Sequence, residues 1–130
     1  MANALYNTFK QGLGLKQFDL DADVIKATLI DSADYTFNPA HTTYATDVPA
    51  AAKVKESGDI AGTWSAAGVL DSADFTFTSV TGDQAEALIL WDSTNGKLIA
   101  YYDTGMSGMP VTPNGGNILV TVHSSGWLSL

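Results

Sequence analysis

The chain contains no cysteine. That excludes disulfides, zinc–thiolate sites, iron–sulfur clusters and a thiol nucleophile. It contains no arginine either. Its 6 basic residues are all lysine, against 14 acidic ones, for a net charge of −8. Nucleic acid and anionic membrane surfaces are therefore not expected as partners, because both are bound through clustered positive charge. Charge of either sign is scarce, at 15% of residues against about 25% in an ordinary soluble domain. The longest strictly apolar run, Ala87 to Trp91, is far shorter than the roughly 20 residues that span a bilayer. Met1 to Tyr6 lacks a basic segment followed by an apolar one. No secretory signal is expected, and the chain reads as a soluble protein made in a cytosol.

What is present is enough to fold. Of 130 residues, 45% are hydrophobic, a content that offsets chain entropy and rules out an acidic disordered protein. The length fits a single domain over residues 1–130, with a helical arm at 1–14 and a β domain at 15–130. Asn3 is placed to cap a helix from Ala4 to Gln11, with Leu5, Phe9 and Leu13 forming one apolar stripe and Gly12 and Gly14 as stops. So short a helix must dock on something.

After Phe18 the signals are those of strands. Val24 to Ile30 is aliphatic and β-branched between acidic turns. Phe75 and Phe77 alternate with Thr76 and Thr78. Glu86–Trp91 and Lys97–Tyr102 flank Asp92-Ser93-Thr94-Asn95-Gly96, whose Asn-Gly pair marks a hairpin. Ile118–Val122 and Trp127–Leu130 flank His123–Gly126 and predict a second hairpin. Gly105 to Gly116 reads as an ordered loop, and Ala50 to Lys55 fits one helical turn or an extended edge equally well. Short strands with frequent turns predict a mainly β fold, a β-sandwich or jelly-roll-like domain with one short N-terminal helix.

One octet occurs twice. Ile30-Asp31-Ser32-Ala33-Asp34-Tyr35-Thr36-Phe37 matches Leu70-Asp71-Ser72-Ala73-Asp74-Phe75-Thr76-Phe77, 40 residues later. It predicts one turn-plus-strand solution used twice, with Asp31 and Asp71 bonding amides two residues on. The sharper alternative is a pair of acidic loops with a shared binding role.

The chemistry-bearing patterns are weak. Asp19-Leu20-Asp21-Ala22-Asp23 begins like a calcium loop, but Val24 and Ile30 stand where Gly and Glu are required. His41 and His123 stand 82 residues apart, outside any metal spacing, and no Ser elbow accompanies them. Gly115-Gly116 lacks the Lys-Ser/Thr of a phosphate loop. No catalytic residue, metal or cofactor is expected. An alternative with Trp64, Trp91 or Tyr44 as stacking platforms would make the chain a carbohydrate-binding module.

Thr104 to Leu130 is the more informative segment: 27 residues without Asp, Glu, Lys or Arg. Either it forms central strands, or part of it lies against another subunit, since the centres of interfaces lose charge and gain Met and aromatics. Leu5, Tyr6 and Phe9 at the start, with Met106, Met109 and Trp127 at the end, are the expected contact residues.

The order of motifs is distinctive. Ala4-Leu5-Tyr6-Asn7 is followed by Val24-Ile25-Lys26, Leu29-Ile30-Asp31, Ala73-Asp74, Thr76-Phe77 and Val80-Thr81-Gly82. Then come Glu86-Ala87-Leu88, Leu98-Ile99-Ala100-Tyr101, Asp103-Thr104-Gly105 and Pro110-Val111-Thr112-Pro113-Asn114-Gly115-Gly116. Over nearly its whole length the chain resembles a family of small structural proteins of tailed bacteriophages. The resemblance implies a virion component of the capsid decoration (cement) type, on the capsid exterior, assembled in the bacterial cytoplasm. It implies two partners, the major capsid protein and copies of the chain itself in a homotrimer. Tail adaptor, tip or fibre component is the alternative within the virion. The resemblance carries no catalytic residues, and the lack of arginine departs from the more basic composition of such proteins.

Overall fold

A run such as Ala87 to Trp91, with no polar residue at alternate positions, suits a strand covered on both faces. The computed structural model describes residues 3–19, 22–103, 109–122 and 125–129, and it places this run at the heart of the molecule. Along the chain come β1 (Ala4–Leu5), α1 (Asn7–Gly14), β2 (Ile25–Ile30), α2 (Tyr44–Asp47), a 3₁₀ turn at Ala50–Ala52 and β3 (Lys53–Glu56). They are followed by β4 (Thr63–Trp64), β5 (Val69–Asp71), β6 (Phe75–Phe77), β7 (Ala87–Asp92), β8 (Lys97–Tyr102), β9 (Ile118–Val120) and β10 (Leu128–Ser129).

The described strands form antiparallel sheets. The largest has the order β1-β8-β7-β2-β3, beside β10-β5-β4 and the pair β6-β9. The fold is mainly β and sandwich-like, as the strand and turn signals predict. Leu88 and Leu90 point to one face of the large sheet with Ala27 and Leu29, where Leu70, Phe77, Val120 and Trp127 from the smaller sheets and Phe9 from α1 close over them. Ala87, Ile89 and Trp91 point to the other face with Ile30, Leu98 and Tyr101, covered by Tyr35, Tyr44, Val48 and Ala52. The register of β7 against β8 shifts after Leu90, which pairs with Ala100 while Trp91 pairs with Leu98. The extra residue, Ile99, is taken up by this bulge, which puts Ile99 and Ala100 together on the first face.

Polar groups inside the second face are paired. Trp91 Nε1 donates to Thr28 Oγ1 at 3.0 Å, and the Thr28 hydroxyl lies 2.9 Å from that of Tyr44. Tyr44 Oη donates in turn to Glu56 Oε2 at 2.6 Å. With one proton per hydroxyl, the bonds run in a single direction, from Trp91 through Thr28 and Tyr44 to Glu56. Burial first, then the Glu56 bond, pushes the Tyr44 hydroxyl far above its usual range, so it stays a donor.

The Asn-Gly hairpin forms as predicted, with Asp92 opposite Lys97 and Gly96 at a φ of 70°. The segment 50–56 uses both predicted conformations in turn, a 3₁₀ turn and then edge strand β3. Three expectations are corrected. The N-terminal helix begins at Asn7, because Ala4 and Leu5 pair with Tyr101 and Ala100 and Tyr6 N donates to Ile99 O. The free edge of β8 outcompetes the first helical turn, and Asn3 Oδ1 accepts from Asp103 N instead of capping. The second hairpin does not form: β9 pairs with β6 and β10 with β5, in different sheets. Gly126 turns the chain toward β5 at a φ of 82°, and a Cβ there would stand 2.7 Å from Leu70 O. The two octets also diverge. Asp31 Oδ1 accepts from Ala33 N as expected, but Asp71 Oδ1 takes the adjacent amide of Ser72, and only the second copy continues into a strand.

Leu90→Ala is expected to destabilise the chain by about 2–5 kcal/mol, the cost of an unfilled core site. The urea midpoint of unfolding should fall accordingly, with an unchanged slope.

Candidate functional site: a candidate partner interface

The expected contact residues do not share one fate. Tyr6 and Phe9 are fully buried, and Trp127 is nearly so. Tyr6 packs 5.0 Å from Phe37 and its hydroxyl lies 2.8 Å from that of Tyr35, which reaches His41 Nδ1 at 2.9 Å. Phe9 meets Phe18 edge-on at 5.2 Å. Trp127 Nε1 donates to Ser72 Oγ at 2.8 Å, its carbonyl accepts from Tyr102 Oη at 2.7 Å, and its ring packs 5.4 Å from that of Tyr102. For these three the expectation of a subunit contact is corrected to a place in the chain's own core. A two-turn helix finds its docking partner at home, on β8. Leu5 and Met109 are half-buried, and Met106 and His123 lie outside the described residues.

Leu5 and the flank of Trp127 nevertheless meet at one place. A groove of about 240 Å³ runs between β1 and β10, lined by Asn3, Leu5, Ala100, Tyr102, Trp127 and Leu128, with Ala4 and Ser129 completing it. None of these residues carries a charge. The groove borders an outer edge of the large sheet. Because Tyr6 N bonds across to β8, alternation turns the peptide N–H and C=O of Leu5 away from β8, toward the open side. The opposite edge, β3, carries Lys53 and Lys55, a common guard against strand addition. Edge β1 has no such guard. Chemically, the β1 side offers backbone bonds and neutral contact area to an extended segment, the mode in which sheets accept added strands.

The stacking platforms of the carbohydrate alternative are engaged elsewhere. Tyr44 and Trp91 are buried and stack on each other at 3.7 Å, with Lys53 Nζ 4.0 Å over the Tyr44 ring. Trp64 is half-buried against the first core.

Acidic groups gather in two places. Asp31, Asp34 and Asp83 bring carboxylate oxygens within 4.8 Å of one another, a set that would suit a hard cation. The second octet does not join it: Asp74 Oδ1 accepts from Val122 N at 2.8 Å. At the calcium-like run, Asp19 Oδ1 accepts from Ala22 N and Asp23 Oδ2 from Asp19 N, so these side chains fasten their own turn. Asp21 lies outside the described residues. The Asn95 side-chain amide ties Asp23 to Asp92, donating to Asp23 Oδ2 at 2.8 Å and Asp92 Oδ2 at 3.0 Å. Asp92 is fully buried, and nothing in its local sequence distinguishes it from an exposed hairpin aspartate.

Phe9→Ala and Trp127→Ala are each expected to cost about 3–5 kcal/mol in the isolated chain. Urea unfolding at two protein concentrations a decade apart should give the same loss, because the contacts are internal. A loss that depends on concentration would return these residues to a subunit interface. No family model matches the chain, and none of the curated proteins compared with it matches.

Proposed function

We propose that this chain is a non-enzymatic structural protein of a tailed-phage virion that binds the outer head shell as a decoration protein. The observation that carries the proposal is the neutral groove beside the unguarded β1 edge, on a chain whose charge is otherwise −8. A net negative charge opposes indiscriminate self-association and keeps a free subunit soluble. Contact is least opposed where charge is missing and backbone groups stand open. The order of motifs, which resembles that of small phage structural proteins, supports the class.

The partners in this proposal are the major capsid protein and further copies of the chain, as a homotrimer. Symmetric repetition on a shell lets a modest contact hold, since many weak attachments act together. A small groove is then sufficient. The tail alternative differs in number: a head protein is present in hundreds of copies and a tail component in a handful.

Quantitative mass spectrometry of purified particles is expected to find the chain at near-stoichiometric ratio to the coat protein. Leu5→Lys should place a guard on β1 like those on β3. It is expected to lower binding to undecorated shells by about tenfold or more, the effect of roughly 1.4 kcal/mol, with the far-ultraviolet dichroism of the fold retained. Absence of the chain from particles would sink the proposal, and undiminished binding by the variant would move the contact away from β1.

A further inference from the structure

The turn between β7 and β8 carries Asn95-Gly96, the residue pair in which an asparagine amide is most readily lost from a polypeptide. The reason is chemical. Glycine has no side chain to shield its peptide nitrogen, so that nitrogen reaches the preceding Asn Cγ and closes a cyclic imide. Asn95 is exposed, and a Cβ on Gly96 would meet nothing within 4 Å. The structure gives this amide a task. Asn95 Nδ2 donates to Asp23 Oδ2 at 2.8 Å, to Asp92 Oδ2 at 3.0 Å and to Gln17 O at 3.4 Å. Its N–H protons are spread over three acceptors, and two of these are carboxylates. Around this joint Val24 N donates to Thr94 Oγ1 at 2.9 Å, and Ser93 N to Val24 O at 2.8 Å. Asp92 Oδ1 accepts from Thr94 N at 2.9 Å and Asn95 N at 3.1 Å, which holds the turn. Two carboxylates offer each other only acceptors, so the amide is what lets Asp23 stand beside the fully buried Asp92.

We propose that Asn95 is a deamidation site under control of the fold: the grip of Asp23 and Asp92 on its amide restrains the reaction, and the reaction, once it has occurred, abolishes the grip. In the first step Gly96 N gives up its proton to water and bonds to Asn95 Cγ. The Cγ–Nδ2 bond breaks, and Nδ2 leaves as ammonia with a proton returned by water. Water then opens the imide at either carbonyl, which leaves an aspartate or an isoaspartate. The net change is amide plus water to carboxylate plus ammonium, so water is the one co-reactant.

Both halves follow from the contacts. Nδ2 must come off two carboxylates before it leaves, and charge-assisted hydrogen bonds are the strong ones. The same negative charges oppose the anionic nitrogen that makes the attack. After the reaction a third carboxylate stands where the donor was, and the three have only acceptors to offer one another. The lysine of this turn, Lys97, is bonded to Gln17 Oε1 at 3.0 Å. An isoaspartate also adds a backbone atom to a turn in which Gly96 holds a φ of 70°. The joint therefore opens in one direction and does not reclose. This proposal is independent of the functional reading above.

Incubation of the full chain at neutral pH, with peptide mapping by mass spectrometry and detection of isoaspartate, tests the restraint. Asn95 is expected to deamidate in the folded chain, but about tenfold or more slowly than in the same chain unfolded in urea, the weight of one hydrogen bond to a charged group. Asp23 is half-buried, and Asp23→Ala frees one side of the grip. It should speed the folded reaction about tenfold, toward the unfolded rate. Asn95→Asp makes the product directly. Exchange of its Ser93 and Thr94 amides with solvent should rise about tenfold, while the β2–β7 ladder stays protected. Equal rates in the folded and unfolded chain would overturn the restraint, as would an unchanged rate in a folded Asp23→Ala variant. Absence of deamidation at Asn95 in both states would overturn the site itself. Unchanged exchange in Asn95→Asp would overturn the loss of grip. The folded and unfolded comparison uses the unaltered chain, so it stands whether or not a variant folds.

Discussion

The molecule depends on a sheet whose central strands are apolar on both sides. An antiparallel sheet that faces water on one side shows alternation, and β7 shows none. Both faces of the large sheet must therefore be covered, and the chain supplies two different covers. One is the set of small sheets with α1, which brings Phe9, Leu70, Phe77 and Trp127 onto the first face. The other is the irregular segment around Tyr35 and Tyr44, which contributes rings in place of strands. A loop used as a cover carries polar groups inward. The ordered bonds from Trp91 to Glu56 and the hydroxyl pair of Tyr6 and Tyr35 satisfy those groups.

This arrangement explains the scarcity of charge. A chain that closes both faces of a sheet with 130 residues has little exposed strand on which to place it. The uncharged C-terminal stretch holds strands β9 and β10, and of its described residues Val120 and Trp127 alone are buried. Its last described residues, Trp127 to Ser129, form one wall of the groove beside β1. The functional proposal rests on that wall and not on the whole stretch, because only there does uncharged surface meet open backbone groups of a sheet edge.

Burial also changes what a carboxyl group can do. In the Asp31, Asp34 and Asp83 group, two of the three side chains are exposed and can be solvated separately. Asp92 is fully buried, and its oxygens accept from Thr94 N, Asn95 N and the Asn95 side-chain amide. The surroundings, and not the residue type, make one group a surface feature and the other the acceptor that holds its turn.

Periodicity, turn chemistry and composition determined the mainly β class, the Asn-Gly hairpin, strand β2 and the exclusion of thiol and calcium-loop chemistry. These rest on neighbours within a few residues, which a sequence displays directly. Tertiary structure alone decided that Ala4 and Leu5 join a strand nearly 100 residues away, that β9 and β10 part into different sheets, and that two identical tetrads, Asp-Ser-Ala-Asp, take different turns. It decided, too, which apolar residues turn inward and which line a groove, and that Asn95 ties Asp23 to Asp92. Each outcome is set by competition among distant partners for the same backbone groups and the same buried space, and pairwise contact at long range leaves no periodic trace in the chain.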